Sequence, residues 1–210
     1  AYKIASFELT DIPLINYVAK KNKPILISTG LSSDKEIKEA VNAIRETGNN
    51  KILVFHCISS YPAEISDMNI NRIRKLKKEL DVEVGLSDHS LTNTAAITSI
   101  ALGAVAIEKH FILSRSEKSP DSEFSIEPNQ LRDLVTKSYD AWKSLGSEEF
   151  IRSSNESKNK IFRRSLYFVK DMAIGEVITT ENVRRIRPGF GLEPKYFNQL
   201  LGKKINKDIK

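Results

Sequence analysis

The chain has 210 residues, enough for one large domain or for a medium one with a small appendage, and the second arrangement fits the pattern below better. At 40% hydrophobic and 29% charged it is globular in composition, with no apolar run long enough to cross a bilayer and no signal-peptide pattern, which points to the cytoplasm. The net charge of +6 permits an anionic partner, but the basic clusters at 20–23, 75–78 and 203–204 lie on helix faces or near the terminus without interleaved aromatics, so nucleic-acid binding is set aside.

In chain order, Tyr2 to Ser6 reads as a strand, and Asp11 or Thr10 caps a helix through Asn22 whose stripe is Leu14, Ile15, Val18 and Ala19. Pro24 to Thr29 is a second strand. Ser33 with Glu36 forms a capping box for a helix carrying Ile37, Ala40, Val41 and Ile44, ended by Gly48. Lys51 to Cys57 is the third strand and Asn69 to Leu80 the next helix. A fourth strand, Val82 to Asp88, leads to a helix opening near Thr92, a turn at Gly103 and a fifth strand, Ala104 to Phe111. A last helix runs from about Glu127 to Leu145 and stops at Gly146.

Five strands, each followed by a helix at intervals of roughly 25 to 35 residues, have the rhythm of parallel βαβ units. There is no GxGxxG and no Walker loop, so a nucleotide-binding doubly wound sheet is disfavoured and an α/β (β/α)8 TIM barrel fits better. A whole barrel needs about 250 residues and eight strands, so this one is expected to be partial, holding strands 4 to 8 only. The barrel part is expected over 1–146 and a polar linker over 147–163. A small irregular domain follows over 164–210, with a strand at Ser165 to Val169, a short helix at Glu181 to Val183 and an Arg187-Pro188-Gly189 turn. The chain stops without a closing strand, so its C-terminus is expected to be clipped.

Right-handed crossovers bring all strand ends to one side, where α/β folds place their chemistry. The polar inventory there is Lys3, Ser6 and Glu8; Ser28 and Thr29; His56, Ser59, Ser60 and Tyr61; Ser87, Asp88 and His89; and Glu108, Lys109 and His110. Because unpaired buried charge costs several kcal/mol, all of these are expected to face a polar cavity. Lys3 with serines from several strands suits a phosphate. His89 and His110 offer two imidazole donors for Mn, Zn or Fe, whereas His56 is read as structural and the lone Cys57 as a reduced structural thiol.

The segments YKIASFE (2–8), ISTG (27–30), HCISSYP (56–62), GLSDH (85–89) and IEKHF (107–111), in this order and spacing, resemble the sialic acid synthase family (N-acetylneuraminate synthase-like). Beyond the linker, RSLYFVKDMAIGEVITTENVRRIRPGFGL resembles that family's SAF domain, which is similar to type III antifreeze proteins. The run SPDSEFSIEP (119–128) and the FGLEPKY segment look most like the pseudaminic acid synthase branch.

The resemblance implies condensation of phosphoenolpyruvate with an N-acetylated amino sugar to give a nine-carbon 2-keto acid and phosphate. It implies that Lys3, Ser6, Ser28 and Ser87 hold the phosphate, with Ser59 near the carboxylate end. His89 and His110 would bind a divalent metal, usually Mn2+, with Mg2+ or Co2+ as alternatives. Glu8, Tyr61 and Asp121 would contact the sugar, and Arg187 would reach the barrel of a partner subunit in a domain-swapped homodimer. Family members carry further contacts on the first three strands, which implies that this chain alone is inactive. N-acetylneuraminate or legionaminate synthesis is the alternative, and Ser59, standing where neuraminic acid synthases often have Asn, counts against the neuraminic acid substrate. A metal-dependent aldolase and a non-catalytic sugar-binding module are the competing classes.

Overall fold

Five short runs of aliphatic and β-branched residues pair as parallel strands because alternate side chains can be buried under helices that return on the same face. The computed structural model describes Ala1–Lys210 and divides into two units, Ala1–Gly146 and Ser147–Lys210. In the first, the strands β1 (Tyr2–Ile4), β2 (Ile25–Ser28), β3 (Ile52–Cys57), β4 (Glu83–Ser87) and β5 (Ile107–Glu108) lie side by side in sequence order. The helices are α1 (Ile12–Ala19), α2 (Asp34–Glu46), α3 (Arg72–Leu80), α4 (Thr94–Ala101) and α5 (Pro128–Leu145). This is a half barrel, as the strand rhythm predicts.

The strand register defines two faces. Ile4, Ile27, Val54 and Val84 are aligned neighbours, all buried with Ile15, Ile37, Val41, Ile44 and Ile73 of the helices. This helix-covered side is called the back. One residue along, Lys3 aligns with Leu26 and Leu53, and further up Cys57 aligns with Ser87 and Glu108. These form the front, where Leu26 and Leu53 are only half-buried and where Phe55 and Cys57, though buried, stand outside the helix-packed core.

Local signals set the element ends. The Asp11 carboxylate accepts the Leu14 N–H at 3.0 Å, and Ser33 and Glu36 cap each other's backbone at 3.3 and 2.7 Å. α3 ends at Asp81 in the left-handed region, where Arg45 donates to the Leu80 and Asp81 carbonyls at 2.7 and 3.0 Å.

Two expected elements shrink. α3 starts at Arg72 because a 3-10 turn at Ile65–Asp67 and a positive φ of 43° at Asn69 precede it. β5 keeps only two residues because, from His110 on, the backbone bonds Ile126 rather than β4: Ile126 N–H donates to the His110 carbonyl at 2.8 Å and Ile112 N–H to the Ile126 carbonyl at 3.0 Å.

The second unit pairs β6 (Ser165–Phe168) with β7 (Val183–Ile186) antiparallel, over a small core of Leu166, Met172, Ile178, Val183 and Ile205. A short helix α6 (Ser154–Lys158), capped by Ser153, precedes β6 where the sequence reads as linker, and α7 (Phe197–Leu200) follows β7. No helix forms at 181–183. Asn182 instead closes a turn, accepting from Thr179 N–H at 2.8 Å and donating to the Val177 carbonyl at 3.0 Å, and Val183 opens β7. Of the 33 basic and 27 acidic residues, 14 and 8 fall in 147–210, so the net charge of +6 belongs wholly to this unit and the half barrel is neutral. No helix of the chain is long and apolar enough to cross a membrane.

Candidate active site

At the carboxyl ends of the strands the front carries one connected polar network. Lys3 on β1 donates to Ser28 Oγ on β2 at 2.8 Å and lies 3.3 Å from Glu108 Oε1 on β5, to which Ser87 Oγ on β4 also donates at 2.8 Å. Gly30, just past β2, donates its N–H to Ser6 Oγ at 3.0 Å. A Cβ at Gly30 would stand 2.0 Å from Ser59 Oγ and 2.8 Å from Ser6 Oγ, so only glycine admits both hydroxyls. The Ser59 hydroxyl oxygen is fully buried and has no hydrogen-bond partner, although the Tyr61 hydroxyl is near enough to feel it. One ammonium and four hydroxyls from separate strands make a cradle for an anion with several acceptor oxygens, and the Glu108 carboxylate now satisfies two of those donors.

The two histidines stand beside this network. The ring of His89 lies 5.3 Å from that of His110 and 4.2 Å from Tyr61, and Phe124 closes against His110 at 4.9 Å between ring centroids. His89 Nδ1 bonds the Ile58 carbonyl at 2.8 Å, and Asp121 Oδ2 stands 3.3 Å from His110 Nδ1. Both arrangements favour a proton on Nδ1 and leave Nε2 with its lone pair free. Burial works against the charged forms of both Cys57 and His89. Their mutual contact, with Ser6 on the thiol and the Ile58 carbonyl on the imidazole, outweighs it, lowering the thiol and raising the imidazole. No group of three or more His, Cys, Asp or Glu side chains is placed to hold a metal ion. Two neighbouring imidazoles are thus the only donors of this kind that the site offers, and a divalent ion here would take its other positions from water or substrate.

Of the residues singled out in the sequence, Lys3, Ser6, Ser28, Ser59, Ser87, Tyr61, His89, His110 and Asp121 converge here. Glu8 does not join them: its carboxylate turns back to the Ala5 N–H at 2.7 Å, closing the 3-10 turn Ser6–Glu8. Arg187 lies in the second unit, exposed, with no acidic group within 4.0 Å. His56 is structural as expected, bonding the Met68 carbonyl at 2.7 Å through Nε2. Asp88 and Lys109 correct the expectation of one polar cluster at the mouth, for pleat alternation turns both to the back. Cys57, the Ile58 carbonyl and Phe124 are parts of the site that sequence reasoning missed. Alternation with Ser87 and Glu108 places Cys57, but nothing in the loop 112–126 announces Phe124.

The description of the NeuB family matches residues 1–150 and that of the SAF domain residues 163–210. The pseudaminic acid synthase of Campylobacter jejuni serotype O:2 is 43% identical over 210 residues, covering all of this chain and 61% of that protein. The N,N'-diacetyllegionaminic acid synthase of the same strain is 35% identical, over all of this chain and 64% of that one. The crystal structure of the N-acetylneuraminic acid synthetase of Leptospira borgpetersenii superposes with a TM-score of 0.70 at 32% identity, over 75% of this chain and 55% of that one. The chain thus spans about three fifths of the length of the curated relatives it matches.

Proposed function

The chain belongs to the NeuB family and carries a SAF domain, and on that premise we propose that it is the larger part of a synthase condensing phosphoenolpyruvate with an N-acetylated amino sugar. The substrate class we favour is the 2,4-diacetamido-2,4,6-trideoxy-altrose type, giving pseudaminic acid, because identity is higher to a pseudaminic than to a legionaminic acid synthase. In the reaction C3 of phosphoenolpyruvate bonds to the aldehyde carbon of the open-chain sugar, whose oxygen takes up a proton. Water adds at C2, and phosphate departs with the former enol oxygen.

The observation that carries this reading is the adjacency of an anion cradle and a histidine pair on the front of the strand ends. Lys3, Ser6, Ser28 and Ser87 hold the phosphate and Ser59 the neighbouring acceptor oxygens; the binding anion displaces the Glu108 contact from Lys3 and Ser87. His89 and His110 would hold a divalent metal such as Mn2+. When bound, that ion supplies Lewis-acid polarisation of the aldehyde and a template for water. Tyr61, packed on His89, and Asp121, beside His110, border the sugar, while Glu8 reaches it only by leaving the Ala5 N–H. Arg187 is assigned to the site of a partner subunit in a domain-swapped homodimer.

The test uses a polypeptide of the relatives' full length and an assay for released phosphate over a panel of N-acetylated amino sugars. Metal- and sugar-dependent phosphate release is expected; cleavage without phosphate release would make it an aldolase, and sugar binding alone a recognition module. Lys3→Ala should raise KM for phosphoenolpyruvate far more than for the sugar, whereas equal effects would mark Lys3 as structural. For Arg187, subunits bearing Arg187→Ala and His89→Ala are mixed and allowed to exchange. Recovered activity supports action in the partner; verified exchange without recovery removes it.

A further inference from the structure

Behind the two histidines, on the helix-covered face, lies an ion pair that the proposed chemistry does not use. Lys109 follows Glu108 and precedes His110, and Asp88 stands likewise between Ser87 and His89. Pleat alternation sends the outer residues of each triplet to the front and the middle one to the back. There Lys109 Nζ donates to Asp88 Oδ2 at 3.0 Å and to the carbonyls of Ser90 and Thr92 at 2.8 and 3.1 Å. The other Asp88 oxygen accepts the Ser90 N–H at 2.8 Å. The two side chains are 2% and 0% exposed.

We propose that Asp88 and Lys109 are positioning residues that fix the orientation of His89 and His110 from behind the sheet. Three of the ammonium's acceptors sit on the loop 88–92 that bears His89, while the lysine backbone is bonded in sequence to His110. The pair therefore ties the carboxyl ends of β4 and β5 together one residue away from each imidazole. Its geometry spends all three N–H donors of Lys109 and leaves none for the front. A pair that only closed the core would need no such register with both histidines, and a buried ion pair is weak evidence for stability in itself. This inference rests on the two histidines being functional, so the test reads the rings directly as well as the metal.

The chain contains only three histidines, so long-range proton–nitrogen NMR can follow each ring. In the unaltered chain His89 and His110 should each show an Nδ1–H tautomer at neutral pH. The charge-free double substitution Asp88→Asn/Lys109→Met keeps an acceptor for Ser90 N–H and refills the lysine stem. Its His89 and His110 ring signals should average between tautomers while His56, held by Met68, stays unchanged, and Mn2+ affinity should fall at least about ten-fold. A folded double variant with unchanged His89 and His110 signals and unchanged Mn2+ affinity overturns the proposal. If the unaltered chain binds no Mn2+ but its ring signals still respond, the metal reading fails and the positioning stands. Should the variant not fold, the unaltered chain decides: a Lys109 ammonium signal protected from exchange is expected, and its absence removes the pair.

Discussion

The strands of the half barrel carry polar groups on both faces of one sheet, and the two faces treat them differently. On the back, the side chains of Asp88, Lys109 and Ser90 are almost wholly buried and every charged atom has partners; of the polar side-chain atoms at the strand ends on this face, His56 Nδ1 alone has none. On the front, Lys3 and Glu108 are about one-third exposed, their contacts can be traded, and the buried Ser59 hydroxyl bonds nothing. Full pairing in a dry layer fixes geometry. Incomplete pairing beside an opening leaves donors for something that arrives later.

The strongest way to break this contrast is at Lys109. Lys109→Met alone leaves the Asp88 carboxylate buried with no counter-ion, and removing one partner of a buried pair costs about 3–5 kcal/mol. The half barrel should lose its cooperative melt, followed by the fluorescence of its one tryptophan, Trp142. If Lys109→Met melts like the parent, water reaches Asp88 and the back is not the dry layer described.

A smaller effect comes from acid. Burial holds the His56 imidazole below its ordinary value, against the opposing pull of the Met68 carbonyl and with some help from Arg72. The folded state therefore binds this proton less readily than the unfolded state. The resulting stability is fully present above the unfolded value of about 6.5 and is lost as pH falls from there toward the depressed folded value. Urea midpoints at pH 8 and pH 5 should differ less in His56→Gln, which keeps a donor for Met68, than in the parent. Equal differences would show that His56 is solvated in the folded chain.

The front and back of the strand ends were unequally legible in the sequence. The five strands, the Asp11 and Ser33–Glu36 caps and the stop at Gly146 follow from local patterns, since each rests on contacts within a few residues. The triplets Ser87-Asp88-His89 and Glu108-Lys109-His110 also hold their answer locally. Period-two alternation separates the middle residue from its neighbours, but grouping all six by chemistry hides it. Phe124, the Ile58 carbonyl and the shortening of β5 depend on how the loop 112–126 returns along the chain. That is a tertiary outcome with no local signature.

The smallest expected effect on stability, and the sharpest probe of the front, is Ser59→Ala. The buried Ser59 oxygen has no hydrogen-bond partner within the chain, and a hydroxyl buried in that way costs about 1–3 kcal/mol. Removing the hydroxyl takes away that burden together with the group, so the melt should be unchanged or slightly higher. Ser28 is different, because its hydroxyl accepts from Lys3 at 2.8 Å and its loss leaves that ammonium one acceptor short. If the bare hydroxyl is held for an oxygen of phosphoenolpyruvate, its removal from a full-length synthase should weaken that substrate by roughly ten- to a hundred-fold, as expected for a hydrogen bond to a charged group. The variant would then be as stable as its parent and poorer at binding one substrate only. A Ser59→Ala protein that melts lower and binds phosphoenolpyruvate unchanged would place this hydroxyl with the structural groups of the back, and the contrast between the two faces would fail at the residue where it is most exposed to test.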